Sequence, residues 1–476
     1  MKMETLLHKL RFAINLNCRG GIRSHTGGLA AILILTVITC RSCLSTSLTG
    51  ANCQISQSTF DSDIQFLKQR PPAHLRLMTA RYVDLRRAAR GLACSGVPLV
   101  AFDGLHYGPA AWNDDPGLYL FVPAVARIFG LTIGTASDVL LMGVVLLALG
   151  LGLLGMTQVL HTVLGWRVAI VALLMLTVVL LLAGDVYALS AAPAVACVPW
   201  ILSFVSRKQM TFGMVITLGV TGVLAASADA IRSYAGMALI LFAVVVVVCG
   251  YQLRAAGRTI LVATLLLGAA GTALVFQHVY AQRDAFLRSK PGAVMQSARG
   301  HVFWHAVYLG LSYVKNSEIP KYQDELAFAK VRALKPELED YSPEYEQTLK
   351  REIFVLAKRR PFLILANLFV KLIVVSLYCL LAANVGLYAA TLAPKPVWAE
   401  LGFWLAIAFN GLYGIVVLPN PKYLVGLIAF AALYGVFSIE QAAEQQNLEN
   451  RLQWIEKLVF IGSVETVRYR FFMNRG

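Results

Sequence analysis

Five short segments hold residues whose types could do chemistry together. Asp114 and Asp115 stand in Trp-Asn-Asp-Asp-Pro-Gly, Asp185 in Ala-Gly-Asp-Val-Tyr, and Asp229 with Arg232 in Ala-Asp-Ala-Ile-Arg-Ser-Tyr. His301 and His305 flank Trp304, and Lys422 with Tyr423 sits in Pro-Asn-Pro-Lys-Tyr. Carboxylates beside cations at a lipid surface suit a displacement that leaves a phosphate. One carboxylate takes the proton from an attacking hydroxyl, while Arg and Lys stabilise charge on the departing phosphate. Each residue also has a plainer reading. Asp114 could cap the helix that follows, Asp185 could end a span, Asp229 and Arg232 could form an ion pair at a turn, and Lys422 could snorkel.

The elements that must position these residues are mostly membrane spans. Of 476 residues 58% are hydrophobic and 14% charged, with a mean hydropathy of +0.65, against about 25% charged in soluble domains. The composition predicts an all-α polytopic membrane protein. An apolar run of about 18 residues or more reads as a membrane helix. Ten such spans are expected, near 29–47, 137–160, 166–184, 186–204, 211–228, 233–252, 259–279, 362–385, 398–417 and 421–438, with a margin up to twelve. The joints Gly184 to Tyr187 and Asp229 to Arg232 leave room only for tight re-entries.

Positive charge sets the expected sidedness. Lys and Arg number five in residues 1–28 and five in 439–476, whereas the short opposite joints carry only Arg232 and Lys422. Both termini are therefore expected inside and both long loops outside, although Lys358, Arg359 and Arg360 on the outer side run against the rule. The expected layout is a basic cytoplasmic leader (1–28) and a membrane domain (29–280) carrying the first outer loop (48–136). A helical second outer loop (281–361), C-terminal spans (362–438) and an interfacial amphipathic tail (439–476) follow. The first span is not read as a removed signal peptide, because a basic leader precedes it and no clear cleavage signal follows. The net charge of +16 is assigned to orientation and anionic headgroups, with the lipid bilayer as partner and no nucleic-acid module in view.

Amphipathic helices are expected over 72–92 and 117–129, the latter with Leu118, Phe121, Val122, Val125, Ile128 and Phe129 on one side. A charged helical stretch over 323–358 is broken by Pro336 and Pro343. Cys40 and Cys43 form a CxxC inside an apolar run, where thiols act as small hydrophobes; Cys53 and Cys94, in an outer loop, could pair. His301 and His305 share a helical face at i, i+4, as metal ligands do, or form an aromatic wall with Trp304 that stacks on a sugar or lipid, or simply pack among Phe303, Trp304 and Tyr308. Asp61-Ser62-Asp63 is a DxD, a pattern that recurs by chance. No cofactor is required by the residue set, and a divalent metal is allowed by it. No phosphate-cradling Gly-rich loop is present, which argues against an ATP-driven pump.

Three stretches carry a resemblance. Residues 114–131, DDPGLYLFVPAVARIFGL, resemble the acid-Pro segment that ends the first outer loop of GT-C glycosyltransferases, the superfamily of polyprenyl-phosphate-sugar transferases related to protein mannosyltransferases and lipid A aminoarabinose transferases. Residues 418–427, LPNPKYLVGL, are similar to its Arg-Tyr-Leu-Leu-Pro-Leu segment, with Lys422 where Arg is usual. Residues 350–372 look like the stretch leading many bacterial members back into the membrane, and the order of spans and loops is similar over most of 29–438. The resemblance implies a catalytic base in the first outer loop, Asp115 or Asp114, although no acid stands ahead of Tyr82 where the family's Asp commonly lies. It further implies Asp185 as a second acid, with Arg232 and Lys422 on the lipid phosphate.

The expected function is a glycosyltransferase of the bacterial inner membrane with its site facing outward. It moves a sugar from a polyprenyl-phosphate donor to a glycan, lipid or protein acceptor of the cell envelope, with inversion. Tyr423, His301, His305 and Trp304 are expected to line the substrate. Two other classes stand beside it: an O-antigen polymerase- or ligase-like enzyme on lipid-linked glycan, and a non-enzymatic lipid or glycan transporter. The transporter is disfavoured because the spans show no repeat and are apolar at mid-depth apart from Arg41 and Lys371.

Overall fold

The computed structural model describes residues 79–110, 116–293, 303–393 and 396–445. Eight of its helices are long and apolar enough to cross a bilayer, and the described part contains one two-stranded hairpin. The chain is a multi-pass helical membrane protein. Eight of the ten expected spans coincide with these helices. The expected span 233–252 is a shorter apolar helix, Met237–Gly250, because a turn with Tyr234 at φ 67° precedes it. The first expected span and the tail 447–476 lie outside the described residues.

The chain forms two compact units. The first contains, within 79–140, 206–233 and 251–293, helices α1 (Thr79–Ser95) and α2 (Pro116–Phe129), the start of α3 (Ile133–Met156), α6 (Phe212–Ile231) and α8 (Ala255–Arg288). The hairpin β1 (Val100–Phe102) and β2 (Tyr107–Pro109) pairs Ala101 with Gly108. It packs β1 on α1 and β2 on α8, with Tyr107 edge-on to Phe286 at 5.3 Å. At 34 residues α8 is about 51 Å long at 1.5 Å per residue, more than the roughly 30 Å hydrocarbon core needs. Its C-terminal turns, with Arg283, Asp284 and Arg288, are the polar ones. Gly222 and Gly268 let α6 and α8 meet backbone to backbone, since a Cβ on either would fall within 2.3 Å of a carbonyl oxygen on the other helix. The buried side of α2 differs from the expected one. Leu118 and Val122 are buried, but Ile128 and Phe129 are exposed, and Tyr119 and Ala126 lie inside.

The second unit contains the rest of α3, then α4 (Val163–Ala183), α5 (Asp185–Ser203) and α7 (Met237–Val245), which continues as a π-helical turn to Gly250. After them come α9 (Phe303–Gly310), α10 (Asp324–Leu334), α11 (Pro343–Arg359), α12 (Pro361–Ala383), α13 (Val385–Leu392), α14 (Val397–Val416), a 3-10 turn (Pro421–Leu424) and α15 (Val425–Glu444). The hub is α15, nearly all buried, which packs against α4, α5, α12, α13 and α14. Helices α9, α10 and α11 share a separate apolar core of Val307, Tyr308, Leu309, Ala327, Val331, Tyr345 and Leu349. Pro336 falls in the break after α10 and Pro343 is the first residue of α11, a position that needs no backbone N–H.

One buried carboxylate fixes an end of the hub. Glu440, 2% exposed, accepts hydrogen bonds from the backbone N–H of His161 (2.6 Å) and Thr162 (3.0 Å) and from the Thr162 hydroxyl (2.6 Å). Thr162 in turn accepts from Gly165 N as the N-cap of α4. These donors have no intrahelical partner, and the negative charge suits the helix N-terminus. Glu440→Ala leaves them buried and is expected to cost about 2–5 kcal/mol. A Cβ on Gly165 would sit 1.8 Å from Glu440 Oε2, so Gly165→Ala breaks the same contact. Thermal unfolding in detergent should show the double variant well short of additive; full additivity would mean that the two positions act separately.

Candidate functional site

The second unit brings three distant stretches together around a group of tyrosines. Asn420 caps the 3-10 turn, its Oδ1 accepting from Lys422 N at 3.1 Å, and so aims Tyr423 back at the helices. The Tyr423 ring stands edge-on to Tyr413 near the end of α14 (5.1 Å) and to Tyr187 in the first turn of α5 (5.3 Å). Asp185 is the first residue of α5, reached through Gly184 alone, whose φ of 68° makes the sharp reversal. Tyr322 comes from the segment between α9 and α10. Tyr322 is 38% exposed, and its partial burial, with Tyr423, Tyr413, Asp324 and Tyr187 adding to it, pushes its phenol above the ordinary 10.0, so the group is a neutral O–H donor. The Lys422 side chain is exposed and has no carboxylate within ion-pair distance among the described residues.

His305 is an internal residue, 5% exposed. Its Nδ1 meets the Tyr345 hydroxyl at 2.6 Å and its Nε2 meets Asp324 Oδ1 at 3.2 Å. An ionised carboxylate only accepts, so in the neutral imidazole Nε2–H donates to Asp324 and Nδ1 accepts from Tyr345, a tautomer assigned from the network. Phe328, Tyr341 and Tyr345 surround the ring. Both ring nitrogens are engaged within the protein, so neither is open to a metal or a sugar. The Glu346 carboxylate accepts from the backbone N–H of Trp304 (2.7 Å) and His305 (3.0 Å), capping α9 from across the loop. Trp304 is half-buried against Phe303 and Phe354, with Lys350 over its ring at 5.3 Å.

Two buried polar residues on α12 hold the pieces in place. Asn367 donates from Nδ2 to the carbonyl of Leu311, just past α9 (2.8 Å), and Lys371 donates from Nζ to the carbonyl of Val416, the last residue of α14 (3.4 Å). Both are fully buried. Where the two helix ends meet, a Cβ on Gly310 would fall 2.3 Å from the Val417 oxygen. The element bearing His305 and the turn bearing Lys422 and Tyr423 are thus tied to one face of one helix.

In the first unit, Pro116 and Gly117, next in the chain after Asp115, open α2. A Cβ on Gly117 would lie 3.0 Å from the backbone of Ala230 and Ile231, so this helix start packs on the residues that lead into Arg232. Arg232 closes α6, its N–H bonded to Ala228 O at 2.8 Å. Cys94 at the end of α1 is disulfide-bonded, with a partner outside the described residues. Asp114, Asp115 and His301 also lie outside them, as do Asp61, Asp63, Cys40 and Cys43. Among the described residues no three His, Cys, Asp or Glu side chains gather as metal ligands would. Sequence reasoning missed Tyr187, Tyr322, Asp324 and Tyr345. Asp324 heads a helix with Glu325 beside it, which reads from sequence only as a favourable first turn.

The hydrogen bond from His305 holds the Asp324 carboxyl below its ordinary 3.8, against partial burial, which raises it. A carboxyl lowered by folding contributes stability that is complete above the unfolded value and is lost as pH falls through the lowered one. Asp324→Asn should therefore lower the melting temperature near neutral pH, with the gap to wild type closing below about pH 4. A gap unchanged down to about pH 3 would show that the carboxylate charge is not what holds His305.

No known protein-family model matches the chain, no curated protein is similar to it, and no solved structure resembles it.

Proposed function

We propose that the chain is a membrane glycosyltransferase of GT-C type, using a polyprenyl-phosphate sugar. The observation that carries the reading is the convergence in the second unit of the start of α5, the end of α14 and the Lys422–Tyr423 turn. Tyrosine faces suit a sugar or the first isoprene units, and an exposed lysine beside them, with no carboxylate partner among the described residues, suits a phosphate. The Cys94 disulfide supports an oxidising compartment for the first loop. This agrees with the sidedness expected from charge and with a site facing outward at the bacterial inner membrane.

The reaction on this reading is a single displacement. The acceptor hydroxyl oxygen forms a bond to the anomeric carbon as the bond from that carbon to the phosphate oxygen breaks, inverting the centre. The hydroxyl proton passes to a carboxylate base, expected from the sequence at Asp115 or Asp114, and the sugar's leaving group departs as the polyprenyl phosphate anion. Acceptors are a glycan, lipid or protein of the cell envelope. The polymerase- or ligase-like alternative puts His305 on the substrate, and its internal position with both nitrogens bonded speaks against that role.

Transfer of radiolabelled sugar from a panel of polyprenyl-phosphate sugars to cell-envelope acceptors in proteoliposomes tests the proposal. Asp115→Asn or Asp114→Asn should abolish transfer in protein that melts like wild type. Lys422→Gln should lower it by about 10²–10³-fold, as loss of one charge-stabilising group does. Full activity in both Asp variants would sink the base assignment, and no transfer from any donor by folded wild type would sink the class.

A further inference from the structure

Helix α11 carries one surface stripe that the described residues leave largely uncovered. Arg351, Phe354, Val355, Lys358 and Arg359 recur at i, i+3, i+4, i+7 and i+8, which is a single helical face. All five are exposed, Phe354 by 54%. The opposite face, with Tyr345, Leu349 and Ile353, packs into the core shared with α9 and α10. After Arg360 alone, Pro361 opens the apolar span α12, whose second residue, Phe362, is 83% exposed. The stripe therefore ends where the chain enters the membrane.

Glu352, the one acid in 350–360, is held by Lys330 at 2.9 Å, and Arg360 reaches Glu318 at 3.7 Å. Arg351, Lys358 and Arg359 have no carboxylate partner among the described residues. The helix dipole accounts for Lys358 and Arg359 in the last turn. It accounts neither for Arg351, two turns earlier, nor for the exposure of Val355 and of Phe354, which touches Trp304 along one side, between the cations. A mixed basic and apolar face beside a span matches the chemistry of an anionic membrane surface, phosphates above and acyl chains below.

We infer that this stripe is a docking surface for anionic phospholipid headgroups. Arg351, Lys358 and Arg359 take the phosphate, and Phe354, Val355 and Phe362 enter the acyl boundary. The surface is separate from the Tyr423 turn and stands whether or not the chain transfers sugar. It also gives the basic run 358–360 a role on the side where the charge rule does not expect it.

The test titrates the full chain, purified in neutral detergent, with dihexanoyl phosphatidylglycerol, dihexanoyl phosphatidylcholine or inorganic phosphate. Phosphatidylglycerol should bind at least ten times more tightly than phosphatidylcholine, and less tightly as salt rises. The triple variant R351Q/K358Q/R359Q should lose about fivefold per cation removed, on the order of a hundredfold. Phe354→Ser should weaken binding while leaving its salt dependence unchanged. Equal binding of the two lipids, a triple variant that binds phosphatidylglycerol like wild type, or displacement of the lipid by equimolar inorganic phosphate would each overturn the inference.

Discussion

The arrangement of the second unit depends on how buried polar groups are satisfied inside an apolar bundle. Backbone groups at helix ends lack intrahelical partners, and in hydrocarbon no water replaces them. Helices α9 and α14 both end against α12, about 9–15 Å from its start at 1.5 Å per residue. Asn367 and Lys371, one turn apart on α12, supply the donors for those ends. A lysine at that depth is costly to bury, and the negative end of a helix dipole is a suitable place for it. Gly310 permits the close approach that brings both ends within reach. Glu440 does the converse at the far end of the hub, a carboxylate meeting the positive start of α4. The unit is thus pinned by a cation on the C-terminus of α14, a neutral amide at the end of α9 and an anion on the N-terminus of α4.

From that clamp the rest of the candidate site follows. Holding Val416 fixes the short chain to Asn420, and Asn420 shapes the turn that lifts Tyr423 between Tyr187 and Tyr413. Holding Leu311 fixes α9, from which His305 ties α10 and α11 through Asp324 and Tyr345. Tyr322 lies on the segment between these anchors, two residues before Asp324. The histidine serves assembly in this arrangement, and the tyrosines and Lys422 remain as the groups facing outward from it.

Much of the fold was legible in the sequence because span length and hydropathy follow from the bilayer itself. The reversal at Gly184 and the breaks at Pro336 and Pro343 were legible too, since Gly and Pro act through the backbone alone. Long-range pairing was not. Nothing in the run around Asn367 and Lys371 says which carbonyls they meet, and lipid-facing and protein-facing leucines look alike. The same limit explains the two sides of α2, where Ile128 and Phe129 fit the periodicity yet stay exposed. His305 shows the same limit: a histidine among aromatics suits a binding wall or plain packing, and only the positions of Asp324 and Tyr345 show that its nitrogens are occupied.

On the proposed function, Tyr187, Tyr322, Lys422 and Tyr423 form one end that receives a polyprenyl-phosphate donor. The most direct measurement is photo-crosslinking of the purified chain with a polyprenyl phosphate bearing a diazirine in its first isoprene unit, followed by peptide mapping. The account predicts label in three separated stretches, 185–190, 311–323 and 413–424, competed away by unlabelled polyprenyl phosphate. Label confined to the exposed apolar faces of α8 and α12, or uncompeted label, would contradict it.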